Sequence, residues 1–227
     1  MRILAVETST LAGSTALLER GRVVAQSLLD IALTHSERLM AMIHRLLQDC
    51  GWEANNLEGL AVSIGPGSFT GLRVGIATVK GLALALDLPI AAVPTLDALA
   101  SNLPFADAPV CPILDARKGE VYLALYRPLE DRLERLSDYL ALPPRAAAER
   151  LAAPVIVLGD GVAPCLPFLS RLGAGLRVAP AAHSLPSAAV VGQLGSAMLA
   201  SGDAVAADAL VPMYLRPSEA ELGVRRQ

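Results

Sequence analysis

Short runs of hydrophobic residues predict that the chain opens with strands. Residues 3–6 form an apolar run, and residues 14–18 and 23–29 form two more. Residues 19–22, between the last two runs, contain a glycine that can adopt a positive φ, which favours a tight hairpin. We therefore expect three adjacent antiparallel strands at the start of the chain.

Apolar residues spaced three and four positions apart predict two helices after these strands. In the first helix Leu39, Ile43 and Leu46 recur with this spacing, and Gly51 marks its end. The second helix spans residues 69–86 and follows a strand at 60–64. Because it is apolar nearly all round, we expect it to be buried on most sides.

Small residues recur every four positions within the second predicted helix. Gly71 and Gly75 share one face, and Ala77, Gly81 and Ala85 share another. Glycine inside a helix costs about 1 kcal/mol relative to alanine. Close packing against a second backbone would offset this cost, so we expect such a contact.

The second half of the sequence repeats the pattern of the first. Hairpin strands at 110–114 and 121–126 flank a turn at 116–119. Helices and strands then alternate to residue 199, so both halves predict a mixed α/β sheet with parallel crossovers. We expect an N-terminal lobe of residues 1–103 and a C-terminal lobe of residues 104–227, whose last ~20 residues pack back on the first lobe.

The composition narrows the class of protein. The chain has 227 residues, of which 53% are hydrophobic, and a formal net charge of −3. This balance excludes intrinsic disorder and gives no overall field that would attract a phosphate backbone. Cys50, Cys111 and Cys165 lie far apart, as expected for reduced thiols, and no apolar run approaches ~20 residues. We therefore predict a cytoplasmic protein without a membrane span.

The sequence offers weak candidates for metal binding or nucleophilic catalysis. His35, His44 and His183 lack the spacing of metal ligands. Ser68 sits between a strand and a helix, as in a nucleophile elbow, but Pro66 and Thr70 occupy the positions where that motif has glycine. Neither a metal centre nor a serine hydrolase is indicated.

Three local features remain open to two interpretations. The glycine-rich turn at 65–71 could bind an anion at a helix N-terminus, or it could only shape a close backbone contact. Glu7 and Asp115 could face each other across a cleft, although the sequence does not bring them together. The charged turn at 115–120 is either a recognition cluster or a solvated turn, and Met40 and Met42 either dock a partner or are buried.

Five blocks of the sequence resemble the bacterial TsaB (YeaZ) family. They lie at residues 5–10, 65–75, 80–83, 115–122 and 214–217, in the family's order. The resemblance implies an α/β protein with the two-lobed actin-like ATPase, sugar kinase or heat-shock ATPase (ribonuclease H-like) fold. The family-motif residues are Gly65, Pro66, Gly67, Ser68, Thr70, Gly71, Arg73, Asp115, Arg117 and Glu120.

The resemblance also implies a function. Members of the family are scaffold or activator subunits needed with TsaD and TsaE to form N6-threonylcarbamoyladenosine at position 37 of tRNAs that read codons beginning with A. No cofactor is then required by this subunit, since ATP and metal are used by its partner proteins, and tRNA is contacted only indirectly. An M22-like peptidase, a weak nucleotide-binding hydrolase and a direct tRNA binder are the alternatives.

Departures from the catalytic relative TsaD imply that the reactive site is lost. Thr95 and Leu99 stand where TsaD has a metal-binding His-x-x-x-His pair, and Asp160 interrupts a Gly-Gly pair that contacts adenosine in the fold. We therefore expect neither a catalytic residue nor a metal ligand. The vestigial candidates for cofactor binding are Glu7, Thr8, Ser9, Gly159 and Gly161.

The resemblance assigns the TsaD contact to a helical bundle formed by the first two helices of the N-terminal lobe. A homodimer could use the same surface when TsaD is absent. The expected interface residues are His35, Leu39, Met42, Ile43, Leu46, Leu72, Gly75, Ile76 and Val79.

Overall fold

The first sheet of the computed structural model is built around strand β1. The structure describes residues 1–31, 35–130 and 132–216, with the backbone alone for His35 and Ser36. In this part of the chain the sheet has five strands in the order β3-β2-β1-β4-β5; the first three are antiparallel, and β1, β4 and β5 are parallel. The strands and helices are β1 (Arg2–Glu7), β2 (Gly13–Glu19), β3 (Arg22–Leu29), α1 (His35–Asp49), β4 (Gly59–Gly65), α2 (Phe69–Leu86), β5 (Ile90–Pro94) and α3 (Thr95–Ala100).

The second sheet repeats this topology. Its main path runs β10-β7-β6-β11-β12, with β6 and β7 antiparallel and β6, β11 and β12 parallel, so β6 takes the place that β1 has in the first sheet. The predicted pair of mixed α/β sheets is therefore confirmed. The elements are β6 (Val110–Arg117), β7 (Glu120–Leu123), β8 (Tyr126–Pro128), β9 (Leu133–Arg135), β10 (Leu140–Leu142), α4 (Pro144–Glu149), β11 (Val155–Leu158), α5 (Val162–Leu169), β12 (Leu176–Val178) and α6 (Ala188–Ala200).

Both faces of β1 are buried because helices cover the first sheet on both sides. Leu4 and Val6 belong to a core cluster with residues of α1 and α2. Ile3 and Ala5 point to the opposite face, since side chains alternate along a strand, and there they pack with residues of α6. The near-continuous apolar run at the start of the sequence follows from this double burial.

Helix α6 packs on the first sheet although it lies in the second half of the sequence. Gly192 and Gly195 face this sheet, and a Cβ at Gly195 would lie 2.5 Å from the Cβ of Ala61. The division after residue 103 stays a prediction, but residues 104–227 are not confined to the second sheet. Helix α3 links the two halves, because Ala98 belongs to the core of the first sheet and Leu99 to that of the second.

The segment that follows α6 also lies against the first lobe. The Val205 N–H donates to the Ile90 carbonyl at 2.8 Å, and the Met213 N–H donates to the Ile64 carbonyl at 2.7 Å. Between them, Leu210 is buried in the core shared by β1, β4, α1 and α2. Residues 205–213 thus run along the first lobe. Residues 217–227, which include Pro217 of the last motif block, lie outside the described residues.

Helix α2 has the predicted bounds but not the predicted burial. One stripe, including Leu72, Ile76 and Val79, is buried, whereas Leu84 on the outer side is 76% exposed. The expectation of burial on most sides is wrong, because the sheet and α1 cover this stripe and leave the outer side of the helix exposed. Among the described residues, α2 is the one helix that is long and apolar enough to cross a membrane. Core helices of soluble proteins meet the same criterion, and 33% of α2 is buried.

We predict opposite effects when alanine replaces two helical glycines. Gly195→Ala should lower the free energy of unfolding by about 1–2 kcal/mol, because overpacking against Ala61 outweighs the gain in helix propensity. Gly81→Ala should raise it by up to about 1 kcal/mol, since its Cβ would meet nothing within 4 Å. Urea unfolding of the two variants and the parent measures both effects; equal shifts would contradict the packing of α6.

Candidate functional site

The glycine-rich turn at 65–71 holds the start of α2 against the loop that follows β1. The Ser68 N–H donates to the Ser9 carbonyl at 2.6 Å, and the Ser68 Oγ accepts the Gly71 N–H at 3.2 Å as the helix cap. A Cβ on Gly67 would lie 2.8 Å from the Ser9 Cβ, so only glycine fits there. Close backbone contact, one of the two interpretations left open, is therefore what this turn provides.

Glu7 and Thr8 are structural residues of the first lobe. Both are fully buried. The Glu7 Oε1 accepts the Ser9 N–H at 2.5 Å, and the Thr8 hydroxyl donates to the Gly71 carbonyl at 2.8 Å. A Cβ on Gly75 would overlap the Thr8 Oγ1, so this glycine packs inside its own lobe. Glu7 and Thr8 hold the loop after β1, and neither lines the cleft described below.

Gly159 and Gly161 also serve backbone packing. Gly159 has a φ of 108°, in the region that favours glycine, and its N-terminal neighbour β11 pairs with β6. A Cβ on Gly161 would lie 2.6 Å from the carbonyl carbon of Leu114 in β6. Of the five vestigial candidates, Ser9 alone lines the cleft between the lobes.

The charged turn after β6 is neither isolated nor simply solvated. The Asp115 Oδ1 accepts the Arg117 N–H at 2.7 Å, while its Oδ2 lies 3.3 Å from the Arg117 guanidinium. Glu120 forms an ion pair with Arg216 at 2.9 Å, and Arg216 also donates to the Ala116 and Arg117 carbonyls at 3.3 Å. The C-terminal segment thus fixes this turn, a contact that no local pattern in the sequence indicates.

Tyr214 ties the same C-terminal segment to the start of α2. Its ring stacks on Phe69 with the centroids 5.0 Å apart, and its hydroxyl accepts a hydrogen bond from Arg73 Nε at 3.0 Å. The Arg73 guanidinium lies 3.8 Å from the centre of the Phe69 ring, within range of a cation–π interaction. The family-motif residue Arg73 and the last motif block therefore meet in one cluster.

A cleft with a volume of about 540 Å³ lies between the two lobes. The loop after β1, the start of α2, the turn after β6 and the C-terminal segment line it. Arg73, Arg117, Lys118 and Arg216 bring four positive charges to its lining, and Asp115 and Asp160 bring two negative ones. The remaining lining residues are Ser9, Thr10, Leu11, Gly67, Ser68, Phe69, Thr70, Leu114, Ala116, Tyr122 and Tyr214.

Burial raises the pKa of Asp160 above its ordinary value. The nearby Asp115 carboxylate raises this pKa further, while the Asp115 N–H, which donates to the Asp160 Oδ1 at 2.8 Å, and the Arg117 charge lower it. Asp160 therefore holds the backbone of Asp115 in place at an electrostatic cost. The cleft keeps a surplus of positive charge in its lining.

The positions that correspond to the metal-binding pair are closed. Thr95 and Leu99 lie on α3, and both side chains are completely buried. Within the described part of the chain, the Thr95 hydroxyl has no hydrogen-bond partner. Among the residues that the structure describes, no three His, Cys, Asp or Glu side chains form a group that could hold a metal ion. A hydroxyl and an aliphatic side chain are a poor donor set for a divalent cation.

Most of the expected interface residues lie beneath the surface, and their place in an interface stays a prediction. Of the nine, those whose side chains are described lie on α1 and α2, but all except the partly exposed Met42 are buried beneath the surface of their own lobe. The three- and four-residue periodicity marked the core-facing stripe, because that stripe packs on the sheet. The side chain of His35 lies outside the described residues. The buried residues are Leu39, Ile43, Leu46, Leu72, Gly75, Ile76 and Val79.

The fold and the cleft together define a two-lobed protein of the actin-like ATPase type. The same fold occurs in the activator of the 2-hydroxyisocaproyl-CoA dehydratase from Clostridium difficile, with a TM-score of 0.54 and 10% identity over 89% of this chain and 97% of that one. Such a likeness concerns the fold alone.

Closer relatives identify the family. The tRNA threonylcarbamoyladenosine biosynthesis protein TsaB of Bacillus subtilis (strain 168) is 35% identical over 97% of this chain and 96% of its own length. YeaZ from Pseudomonas aeruginosa superposes with a TM-score of 0.79 at 32% identity, covering 94% of this chain and 99% of that structure. Residues 30–222 also match the family model of TsaD, tRNA N6-adenosine threonylcarbamoyltransferase. The chain belongs to the TsaB (YeaZ) family, as the resemblance indicated.

We predict that Asp160→Asn raises the melting temperature near neutral pH. The amide keeps an acceptor for the Asp115 N–H and removes a charge that partial desolvation and the Asp115 carboxylate disfavour. Because the folded-state pKa is raised, the cost of the carboxylate is present above that pKa and disappears as the pH falls through it toward the ordinary value of 3.8. The gain should therefore shrink on acidification, which melting curves at several pH values measure.

Asp160→Ala is the matched control for this prediction. It removes the same charge but leaves the Asp115 N–H without its acceptor, so it should be less stable than Asp160→Asn by about 1 kcal/mol. Equal stability of the two variants would show that the hydrogen bond to Asp115 contributes nothing.

Proposed function

We propose that this chain is a non-catalytic scaffold subunit that binds TsaD through the outer surface of α1 and α2. In this role it supports, with TsaD and TsaE, the formation of N6-threonylcarbamoyladenosine at position 37 of tRNAs that read codons beginning with A. The observation that carries the proposal is an apolar surface on the two helices that residues 1–31, 35–130 and 132–216 leave uncovered. We define this α1/α2 surface as Met40, Ala41, Ala77, Gly81, Leu84 and Ala85.

The side chains of the α1/α2 surface suit a helical partner. Met40 is 53% and Leu84 is 76% exposed, so the outer sides of α1 and α2 each present a large apolar side chain. Ala77, Gly81 and Ala85 lie four positions apart on the exposed side of α2, and nothing lies within 4 Å of a Cβ built on Gly81. Small side chains let two helix axes approach toward the short end of the usual 8–10 Å range.

Two features support a role without catalysis. Thr95 and Leu99 are buried and offer no pair of imidazoles for a metal. Ser68, the candidate nucleophile, uses its hydroxyl to cap α2. These features favour the scaffold role over the M22-like peptidase. ATP and metal would be supplied by the partner proteins, tRNA would be reached only through the complex, and the location would be the cytoplasm.

A second copy of this chain is the alternative occupant of the α1/α2 surface. The apolar residues would be covered in such a homodimer when TsaD is absent. Because one surface would serve both contacts, TsaD and the second copy would compete for it.

The test replaces an apolar side chain on the outer side of α2 with a charged one. Leu84→Glu should weaken the complex with TsaD at least tenfold, because a carboxylate would be buried in the contact without a partner. Phe105→Glu is the matched control: Phe105 is 97% exposed in the loop after α3, and its neighbours Leu103 and Ala106 pack on the core of the second sheet. Titration calorimetry with TsaD compares the two, and melting curves check that both variants fold.

Reconstituted tRNA modification completes the test. With TsaD, TsaE, ATP and threonylcarbamoyl donor held constant, the reaction should depend on adding this chain, and Leu84→Glu should lower the rate when the subunit is limiting. Unchanged TsaD binding by Leu84→Glu would place the contact elsewhere. Full modification without this chain would refute the scaffold role.

A further inference from the structure

A groove with a volume of about 450 Å³ lies between α1 and β3 on the first lobe. Strand β3 is at the edge of the five-stranded sheet, and within the described residues no strand pairs with its outer side. The groove is separate from the cleft between the lobes, because the two have no lining residue in common. The residues that line the groove are Gln26, Ser27, Leu29, Arg38, Ala41, Met42, Arg45, Leu46 and Asp49.

The pairing of β1 with β2 determines which backbone groups of β3 face outward. The Met1 carbonyl accepts the Arg20 N–H on the β2 side, and the Arg2 carbonyl accepts the Glu58 N–H on the β4 side. Because the backbone groups of successive strand residues point to opposite sides, the odd-numbered residues of β1 face β2. They pair with even-numbered residues of β2. The odd-numbered residues of β2 therefore face β3.

Gln26 and Leu28 consequently present their backbone N–H and C=O groups to the open side of β3. Ala25, Ser27 and Leu29 pair with odd-numbered residues of β2, so their backbone groups bond inward. Gln26 and Leu28 lie between them, and both are exposed. A row of two donors and two acceptors at a sheet edge is a template on which an extended segment of another chain can add as a strand.

The side chains that line the groove suit a segment that is partly apolar and acidic. Leu29 and Met42 contribute apolar surface from the two sides of the groove. The Arg45 guanidinium lies 2.9 Å from the Asp49 carboxylate, so these two charges neutralise each other. Among the described residues no carboxylate pairs with Arg38. The positive charge that remains favours an acidic side chain in the occupant.

The groove adjoins the α1/α2 surface along α1. Ala41 belongs to both, Met40 precedes it on the α1/α2 surface, and Met42 follows it in the groove. A partner that rests a helix on the α1/α2 surface therefore brings its neighbouring chain to the mouth of the groove.

We propose that an extended segment of TsaD enters this groove and adds to the first sheet beside β3, with an acidic side chain next to Arg38. This contact rests on the proposed function, because it is a second contact with the same partner. Hydrogen bonds to the backbone of Gln26 and Leu28 supply affinity, and the space between β3 and α1 holds the side chains on one face of the segment.

Amide hydrogen exchange of the full chain, with and without TsaD, tests the pairing. We expect exchange at the Gln26 and Leu28 N–H groups to slow at least tenfold in the complex, because both become hydrogen-bonded. A partner that rests on the helices alone would leave both rates unchanged, and this result would overturn the proposal.

Leu28→Pro tests the same pairing by substitution. Proline removes an outward donor and places its ring on the open side, while the backbone bonds to β2 remain. The complex with TsaD should weaken at least tenfold in titration calorimetry. Leu28→Ala keeps the N–H and should bind TsaD at least fivefold more tightly than Leu28→Pro. Melting curves check that both variants fold, and equal affinities would contradict strand addition.

Arg38→Glu tests the charge without altering the strand. It should weaken TsaD binding severalfold, and this loss should shrink as the salt concentration rises. Arg150→Glu is the matched control, since it makes the same charge change at an exposed residue at the end of α4 that does not line the groove. Equal affinities of the two variants would refute the acidic contact.

Leu84→Glu separates this proposal from the proposed function. If Leu84→Glu weakens TsaD binding while Leu28→Pro and Arg38→Glu do not, the groove contact is refuted and the α1/α2 contact stands. If Leu28→Pro lowers self-association in sedimentation but leaves TsaD binding unchanged, the occupant is a second copy and the groove contact is again refuted. If Leu28→Pro alone weakens TsaD binding, the groove contact stands and the α1/α2 contact is refuted.

Discussion

The contact between the loop after β1 and the start of α2 determines how the first lobe presents its surfaces. Hydrogen bonds cross this contact in both directions, from the Ser68 N–H to Ser9 and from the Thr8 hydroxyl to Gly71. The contact is possible only because Gly67 and Gly75 lack side chains. It fixes the first turn of α2 as one wall of the cleft and turns the opposite side of the helix to the outside. The glycines of this motif are therefore required for packing within the lobe, whether or not a ligand binds.

The C-terminal segment couples the two lobes through ordinary interactions. Tyr214 contacts Phe69 and Arg73 on the first lobe, while Arg216 contacts Glu120 and the carbonyls of the turn after β6 on the second. Exposed ion pairs contribute little singly, but here the stacking, the hydrogen bonds and the ion pair act within a few residues of one another. Four of the five blocks that carry the family resemblance, all except residues 80–83, thus meet around one cleft.

Local patterns in the sequence were enough to predict most of the fold. The bounds of α2 coincide with the prediction because Ser68 caps its start, and the alternation of helix and strand gave both sheets. The six-residue α3 escaped prediction because it is too short to show a helical period. The expected interface residues follow the same kind of local pattern, the helical period. Periodicity identifies the stripe a helix buries on its own sheet, as at Ile43, and so an open surface has to be sought at the remaining positions.

The cleft was less predictable than the fold. The sequence indicated the turns at 65–71 and 115–120, but their meeting with Arg216 depends on the path of the whole chain. Among the described residues the buried Ser9 hydroxyl has no hydrogen-bond partner, and this too has no local signature, since serine in a turn usually caps or is solvated. Contacts between distant segments decide such features, and only the three-dimensional arrangement reveals them.

The packing of α6 on the first sheet has a consequence for how the protein is made. Ile3, Ala5 and Ala61 leave the ribosome well before the helix that covers them, which begins at Ala188. One side of the first sheet therefore stays open to water until α6 has emerged. During synthesis the hydrophobic face of this sheet is exposed, so newly made chains depend on rapid completion or on chaperones to avoid aggregation.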